Sequence, residues 1–500
     1  MAGITKPLYK ILDSVDTLEI KGATDVPVTG LSYHSQHVRS GFIFFCLKGR
    51  KDDGHDYINE AISSGAAAVV VEDDRYFEGA TKIKVPSVRE AVAVMSQNFY
   101  DYPSRKIRLV GVTGTNGKTT TTHLIEAILT ADLRSTGLIG TIQYKIGEET
   151  FSVAATTPEA PDLQSLLYTM VERGVQYAVM EVSSHALEWH RVLGCEFDVA
   201  VLTNVTEDHL DFHETFERYR AAKGKLFSQL GSSKQAESCR YAVLNKDDPN
   251  YKYFLGQSAV DVVTYGVKNS ADISAQNIEV KGEGVSFELL SPLGKVNIEM
   301  KLTGVFSVYN ALAAAAVAYK EGIDSLTVKE VLENVKGIPG RFEKVDVGQE
   351  FFVIVDYAHT PDGLENVLQA AKSLGEGKII TIFGCGGERD KDKRPIMGRI
   401  AGSYSDYCIL TSDNPRGEDP WQIIQGVEQG LKEKMSYGHG YVVQADRYEA
   451  IKLGIDLARP KDIIIIAGKG HETYQVFSDY TVPFDDREVA RKIIKQRVTN

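Results

Sequence analysis

The stretch Ile107 to Thr113 reads as a buried strand, and it empties into TGTNGKTTTTHLIEAIL, where a helix is expected to begin near Lys118. A strand buried on both faces belongs to a parallel sheet covered by helices, so this order of elements points to an α/β fold. Gly114 and Gly117 allow tight backbone turns between strand and helix. Backbone N–H groups at the helix start, together with the Lys118 ammonium, suit β- and γ-phosphates, and the Thr119 hydroxyl suits Mg²⁺. A nucleotide-triphosphate site is therefore expected. The general pattern GxxxxGK[ST] requires glycine where this chain has Val112, and the glycine lies one place earlier, at Gly111. A glycine turn without a ligand is the competing reading. Strand, paired glycines, Lys and a Thr run in the order phosphate binding needs argue against it.

At 500 residues the chain exceeds one ordinary hydrophobic core, and its 43% apolar content is that of a globular protein. Apolar runs at Phe42–Leu47 and Ala67–Val71 alternate with helical stretches and end near Tyr102-Pro103-Ser104, which marks off a first unit, residues 1–104. Alternation continues to about Val335, as in a doubly wound parallel sheet, and defines a second unit, 105–338. The segment KGIPGR, Lys336 to Arg341, has the punctuation of a linker. Strands near Phe352–Val355, Ile379–Phe383, Tyr407–Leu410 and Ile463–Ala467 then form a third unit, 339–500. No apolar run approaches the ~18 residues of a membrane span, and the start lacks a signal-type apolar core, so a cytoplasmic protein without membrane partners is expected. Five cysteines in no CxxC spacing indicate buried thiols rather than disulfides or zinc. A net charge of −12 disfavours nucleic acid. The charge cluster Arg389 to Arg394 reads, taken alone, as a solvated turn.

Carbonyl ends of parallel strands are where open α/β sheets hold ligands. The strand Tyr177–Met180 ends at Glu181, and Phe197–Thr203 leads into NVTEDHLDFH with His209. Thr119, Glu181 and His209 could therefore surround Mg²⁺, with ATP phosphates and water completing the set. In the third unit GCGGERDKDKRP follows a strand but does not satisfy GxGxxG. Arg389 there is better read as a carboxylate clamp than as part of a dinucleotide loop.

TGTNGKTTT, EVSSHAL and TNVTEDHLDFH resemble motifs of the Mur ligase family, within the superfamily that includes folylpolyglutamate synthetases, and the resemblance spans nearly the whole chain. It implies three domains: a small UDP-binding α/β domain, a central P-loop-type doubly wound sheet, and a Rossmann-like C-terminal domain for the amino acid. It implies that Gly114, Thr115, Asn116, Gly117, Lys118, Thr119 and Thr120 bind ATP. Asn310 in FSVYNALAAA would contact adenine, and Arg341, Asp356 and His359 would reach ATP from the third domain. The lysine carbamylated by CO₂ in that family matches Lys223 in YRAAKGKLF, a further metal-site and catalytic candidate beside Lys118 and His209. Lys225 fits the solvated alternative. Ser35, Thr156, Thr157, Ser183 and Arg191 match positions holding a UDP-linked muramoyl dipeptide. Family members commonly carry Asp-Ser-Arg where this chain has His34-Ser35-Gln36, and Trp189 replaces a polar residue of some relatives.

DNPR in TSDNPRGEDP resembles the signature of diaminopimelate-adding members. It assigns Asp413, Asn414, Pro415 and Arg416, with Arg389 and with Gly468 and Glu472 of AGKGHETYQ, to that substrate. A buried cation is expected to select its second carboxylate. The implied activity is ATP-dependent addition of meso-2,6-diaminopimelate to UDP-N-acetylmuramoyl-L-alanyl-D-glutamate through an acyl phosphate, in peptidoglycan synthesis. A monomer is expected. The alternatives are L-lysine as the added amino acid, a folylpolyglutamate synthetase, a P-loop kinase or ATPase, and a silent nucleotide binder.

Overall fold

The apolar runs become the inner strands of three sheets in the computed structural model, which describes residues 3–49, 52–153, 155–230, 239–281 and 284–499. The largest is an 11-stranded sheet. Its parallel part runs Thr136–Ile139, Tyr177–Glu181, Arg108–Thr113, Val199–Leu202, Tyr241–Asn245, Asp261–Gly266, Ile273–Lys281. From Arg108–Thr113 the chain steps out to Thr136–Ile139, returns to Tyr177–Glu181, and then crosses to Val199–Leu202 on the far side. Strand order thus reverses beside the glycine loop, and a crevice opens at the carbonyl ends there.

This sheet is not parallel throughout, as the sequence reading expected. It ends in the antiparallel strands Gly284–Ser291 and Gly294–Met300, and at its other edge in the hairpin Tyr144–Ile146 with Glu149–Phe151. The reason is local: VSFELL and VNIEM alternate apolar and polar residues about a short turn, and a hairpin closes without a helical crossover. The helix Val305–Lys320 is buried over most of its circumference, as its alanine run dictates, and packs on the helix Lys118–Ala131. That close approach carries Asn310 to the glycine loop.

The first sheet pairs Gly30–Ser32, Phe42–Phe45, Ala68–Val71 and Thr81–Lys84 in parallel, with Glu19–Lys21 antiparallel at the edge. Its helix Val88–Phe99 starts at Ser87, whose hydroxyl accepts from Glu90 N. Val88 and Val92 share an apolar cluster with Ala160 of the helix Ala160–Glu172, which seats this sheet on the central unit. The third sheet runs Glu343–Lys344, Phe352–Asp356, Ile463–Ala467, Ile379–Phe383, Tyr407–Leu410, Tyr441–Val443, parallel except for its first strand. The strands feeding AGKGHE, GCGGER and TSDNPR are therefore neighbours. Among the described residues no helix is long and apolar enough to cross a membrane.

Two smaller expectations need correction. Cys239 is exposed while the other four cysteines are buried. The cluster 389–394 is not wholly solvated: Arg394 is buried and holds Glu418 at 2.9 and 3.0 Å, because the helix Lys393–Tyr404 begins inside it and packs on Pro420–Lys432.

KGIPGR forms a pinned turn. Gly340 has φ +65°, and a Cβ there would sit 2.0 Å from His471 N. Gly340→Ala is expected to cost more than about 1 kcal/mol and to misplace Arg341, because alanine strains at positive φ and its methyl group meets backbone. Thermal unfolding and ligation rate read both effects, and an unchanged melting temperature with full activity would show that the turn tolerates a side chain.

Candidate active site

Gly117 caps the Lys118–Ala131 helix with φ +84°, and a Cβ on it would lie 2.4 Å from Asn310 Oδ1, so only glycine lets the loop close on the alanine-rich helix. The loop is clasped from Val199–Leu202's carbonyl end. Asn204 O accepts from Thr115 N at 2.8 Å and Asn204 Oδ1 from Asn116 N at 3.0 Å. Thr115 Oγ1 lies 2.9 Å from the Tyr219 hydroxyl. Lys118 Nζ donates to Gly114 O and Thr115 O, each at 2.9 Å, and burial holds its ammonium below the ordinary lysine range. A lysine folded onto its own loop already stands where phosphate oxygens would approach.

Thr119 and Glu181 meet as the sequence reading expected. Thr119 Oγ1 donates to Glu181 Oε2 at 2.9 Å, and Thr141 adds a backbone donor at 2.8 Å and its hydroxyl at 3.0 Å. Arg341, from beyond the turn, donates through Nη2 to Thr119 Oγ1 at 2.9 Å. Among the described residues there is no group of three or more His, Cys, Asp or Glu side chains that could hold a metal. The Thr119–Glu181 pair nonetheless offers hard oxygens beside a phosphate loop, a donor set that fits a cation sharing its other positions with phosphates and water.

His209 takes a left-handed backbone, φ 55°, with its ring 3.2 Å from Asp208 Oδ2 and edge-on to His185 at 4.7 Å. Burial drives its pKa well below the ordinary histidine value, against the opposing pull of Asp208. Burial alone would raise Asp208, but His209, Lys393 and His359 bring it to about 2. Lys223 is 1% exposed, with Nζ 2.8 Å from Gly114 O. Burial first, and then the Lys118 charge, hold it well below the usual lysine range. Lys225, by contrast, is paired with Glu188 at the surface.

A cavity of about 960 Å³ unites the glycine loop, Glu181, Asp208 and His209, though not Lys223, with the third unit. It is lined by Thr115 to Thr120, Glu181, His209, Asn310, Arg341, Asp356 and His359. Burial pushes Asp356 up to about 6 and His359 down to about 4. Asn116 Nδ2 donates to Asp362 Oδ2 at 2.6 Å, a bond between units that the sequence did not suggest. Thr156, Thr157, Ser183 and Arg191 line the same cavity. Thr157 Oγ1 donates to Glu181 O at 2.8 Å, and Arg191 Nη1 to Thr157 O at 3.0 Å. Ser35 does not line it; it is buried in the first unit at the start of a short turn.

The amino-acid candidates form a second constellation, of which Arg389 lines the cavity. Asn414 Nδ2 donates to Glu472 Oε2 at 2.8 Å, and Asn414 N to Asp413 Oδ1 at 2.6 Å. Arg416, beside Pro415, donates from Nη1 to Gly387 O at 2.8 Å, and Gln475 donates to Asp413 O at 2.6 Å, so the three loops are cross-linked. Gly468 opens the third loop with its N bonded to Asp356 O. Beneath them Arg447, buried and paired with Asp486, donates from Nη2 to Ala467 O at 3.1 Å. Neither candidate is the expected buried cation: Arg416 is half-buried and Arg389 exposed, because both sit on loops beyond the strand ends, and of the two only Arg389 lines the cavity. The sequence reading also missed Lys469, which is fully buried and bonded to Glu472 and Asn414.

Three family models match the chain: "Mur ligase family, catalytic domain" over 27–100, "Mur ligase middle domain" over 112–318, and "Mur ligase, glutamate ligase domain" over 340–470. The UDP-N-acetylmuramoyl-L-alanyl-D-glutamate--2,6-diaminopimelate ligase of Bacillus cereus is 48% identical over 493 residues, 99% of each chain. That of Geobacillus thermodenitrificans is 47% identical over 471 residues, 94% of this chain and 95% of the relative. A solved structure of a ligase of the same description aligns over 99% of both chains with a TM-score of 0.68 and 33% identity. MurF from Acinetobacter baumannii, at 17% identity and a TM-score of 0.70 over the full length of both, shares the fold.

Proposed function

The chain belongs to the Mur ligase family, and from that membership and the site geometry we propose that it joins meso-2,6-diaminopimelate to UDP-N-acetylmuramoyl-L-alanyl-D-glutamate at the expense of ATP, in peptidoglycan synthesis. The observation that carries the reading is the meeting of the glycine loop, Glu181 and Arg341 in one cavity that also reaches Thr157 and Arg191. The units 1–104, 105–338 and 339–500 supply the UDP, ATP and amino-acid sites. The reaction belongs in the cytoplasm, where ATP and nucleotide-linked precursors meet, and the chain acts as a monomer.

In the first step the D-glutamyl side-chain carboxylate attacks the γ-phosphorus of ATP, and ADP leaves. Loop N–H groups from Thr115 to Thr120 cradle the phosphates, Lys118 turns from its own carbonyls to the transferring oxygens, and Arg341 approaches from the third unit. Asn310 faces adenine, and Asp356 and His359 complete the nucleotide contacts. Thr119, Glu181, His209 and a carbamylated Lys223 would hold Mg²⁺, which neutralises phosphate charge when bound. Ser35, Thr156, Thr157, Ser183 and Arg191 position the muramoyl dipeptide. In the second step the diaminopimelate amine, held by Arg389, Asp413, Asn414, Pro415, Arg416, Gly468 and Glu472, attacks the acyl carbon, and phosphate departs from the tetrahedral adduct. Because one carboxylate oxygen becomes the bridge to phosphorus, ¹⁸O placed in that carboxylate is expected in the released phosphate. Phosphate free of ¹⁸O, its fourth oxygen taken from solvent, would identify a hydrolase instead.

Carbamylation of Lys223 requires a neutral amine, and burial, with the Lys118 charge beside it, shifts Lys223 in that direction. Lys223→Ala is expected to be nearly inactive and to regain part of its rate with short carboxylic acids, which can occupy the vacated space. Normal activity of the variant would reject the role.

A further inference from the structure

Lys469 is fully buried beneath the three amino-acid loops, and its Nζ lies 2.8 Å from Glu472 Oε2 and 3.1 Å from Asn414 Oδ1. Glu472 is the carboxylate that an incoming distal ammonium would meet. A third donor contact, to Tyr474 O, fixes the ammonium of Lys469 in place. The carboxylate thus already has a lysine ion-pair partner behind it. Arg416, on the neighbouring loop, is half-buried, bonded through its side chain to the Gly387 carbonyl and through its N–H to Val476 O, and among the described residues in no ion pair. Glu472 and Lys469 cancel, and the charge left over is that of Arg416.

We propose that Lys469 is a specificity-determining residue: by neutralising Glu472 from beneath, it makes the pocket accept an amino acid with a zwitterionic distal end and reject one with a lone distal ammonium. The inference rests on the amino-acid-pocket reading above and adds the element that discriminates. Diaminopimelate brings a distal carboxylate to Arg416 and a distal ammonium to Glu472. Lysine brings only the ammonium, to a carboxylate already satisfied and beside an unanswered guanidinium. The discrimination is electrostatic and works through repulsion as well as attraction.

Lys469→Met removes the charge at similar length, and Lys469→Gln removes it while keeping a donor for Asn414 or the Tyr474 carbonyl. In ADP-release kinetics with UDP-muramoyl dipeptide and ATP, both are expected to lower the ratio of kcat/KM for meso-diaminopimelate over L-lysine by about tenfold or more, mainly through a fall in the lysine KM. The KM for ATP is expected to stay unchanged. Lys469→Met with Glu472→Gln removes both charges and is expected to return the ratio toward that of the unmutated chain. A purely structural lysine would raise both amino-acid KM values together, with the ratio unmoved in single and double variants, and that result overturns the proposal. If instead Arg416→Ala leaves the diaminopimelate KM unchanged, the pocket reading itself fails. Folding of each variant is checked by thermal unfolding, and Lys469→Gln carries the test if Lys469→Met does not fold.

Discussion

Lys118→Ala and Glu181→Ala are each expected to abolish ATP-dependent ligation in a chain that remains folded, with rate losses of about 10²–10³-fold or more. Lys118 stabilises little in the free protein: its ammonium is buried against two carbonyls of its own loop, Gly114 O and Thr115 O, and pays a desolvation penalty for that position. Its alanine variant loses local loop contacts and keeps the core of Val110, Val112 and Leu124 intact. Glu181 is more embedded, since Thr119 and Thr141 direct three donors at it, so Glu181→Ala is expected to lower the melting temperature as well. Neither change touches the three-loop cluster of the third sheet. Binding of the amino acid to the folded variants should persist while turnover is lost. Full turnover in either purified variant would remove the phosphate site from the account.

Arg416→Ala is expected to raise the KM for diaminopimelate roughly 30-fold, with little change for ATP or the UDP-linked substrate, and lysine is expected to be a poor substrate of the unmutated chain. Diaminopimelate is lysine with a second carboxylate at the far carbon, and a planar guanidinium grips a carboxylate through two parallel hydrogen bonds. Removing one partner of a buried charge pair costs about 2–5 kcal/mol. Arg416 is half-buried, so the lower end applies, about 2 kcal/mol and hence roughly 30-fold. Steady-state kinetics with both amino acids measures it. An unchanged diaminopimelate KM, or equal kcat/KM for lysine and diaminopimelate, would contradict the role given to DNPR.

How legible each part was depended on sequence separation. The glycine loop could be read because strand, glycines, Lys118 and Thr119 are contiguous, and the local backbone fixes their relation. Inner strands such as Ile379–Phe383, Tyr407–Leu410 and Ile463–Ala467 could be read to the residue, because burial on both faces leaves unbroken apolar runs. The edges could not. Gly284–Ser291 and Gly294–Met300 lie in a region whose earlier elements alternate strand and helix, and their half-exposed pattern was absorbed into that rhythm. Contacts between distant segments carry no local signal: Arg341 reaches Thr119 across 222 residues and Asn116 reaches Asp362 across 246. Lys469 escaped notice for a related reason. A lysine between two glycines reads as a surface turn until the neighbouring strands bring Asn414 and Glu472 around it. Arg416 was expected to be buried and is half-buried, because the need for a carboxylate partner fixes a charge and not an exposure.

ATP cleavage is expected only where two particular substrates are being joined. Phosphate release by the purified chain, measured with ATP, UDP-N-acetylmuramoyl-L-alanyl-D-glutamate and a panel of amino acids, tests it most directly. Sustained phosphate release is expected only when the muramoyl dipeptide and meso-diaminopimelate are both present, with lysine and neutral amino acids far slower. Release that proceeds at full rate without the dipeptide, or without any amino acid, would contradict it.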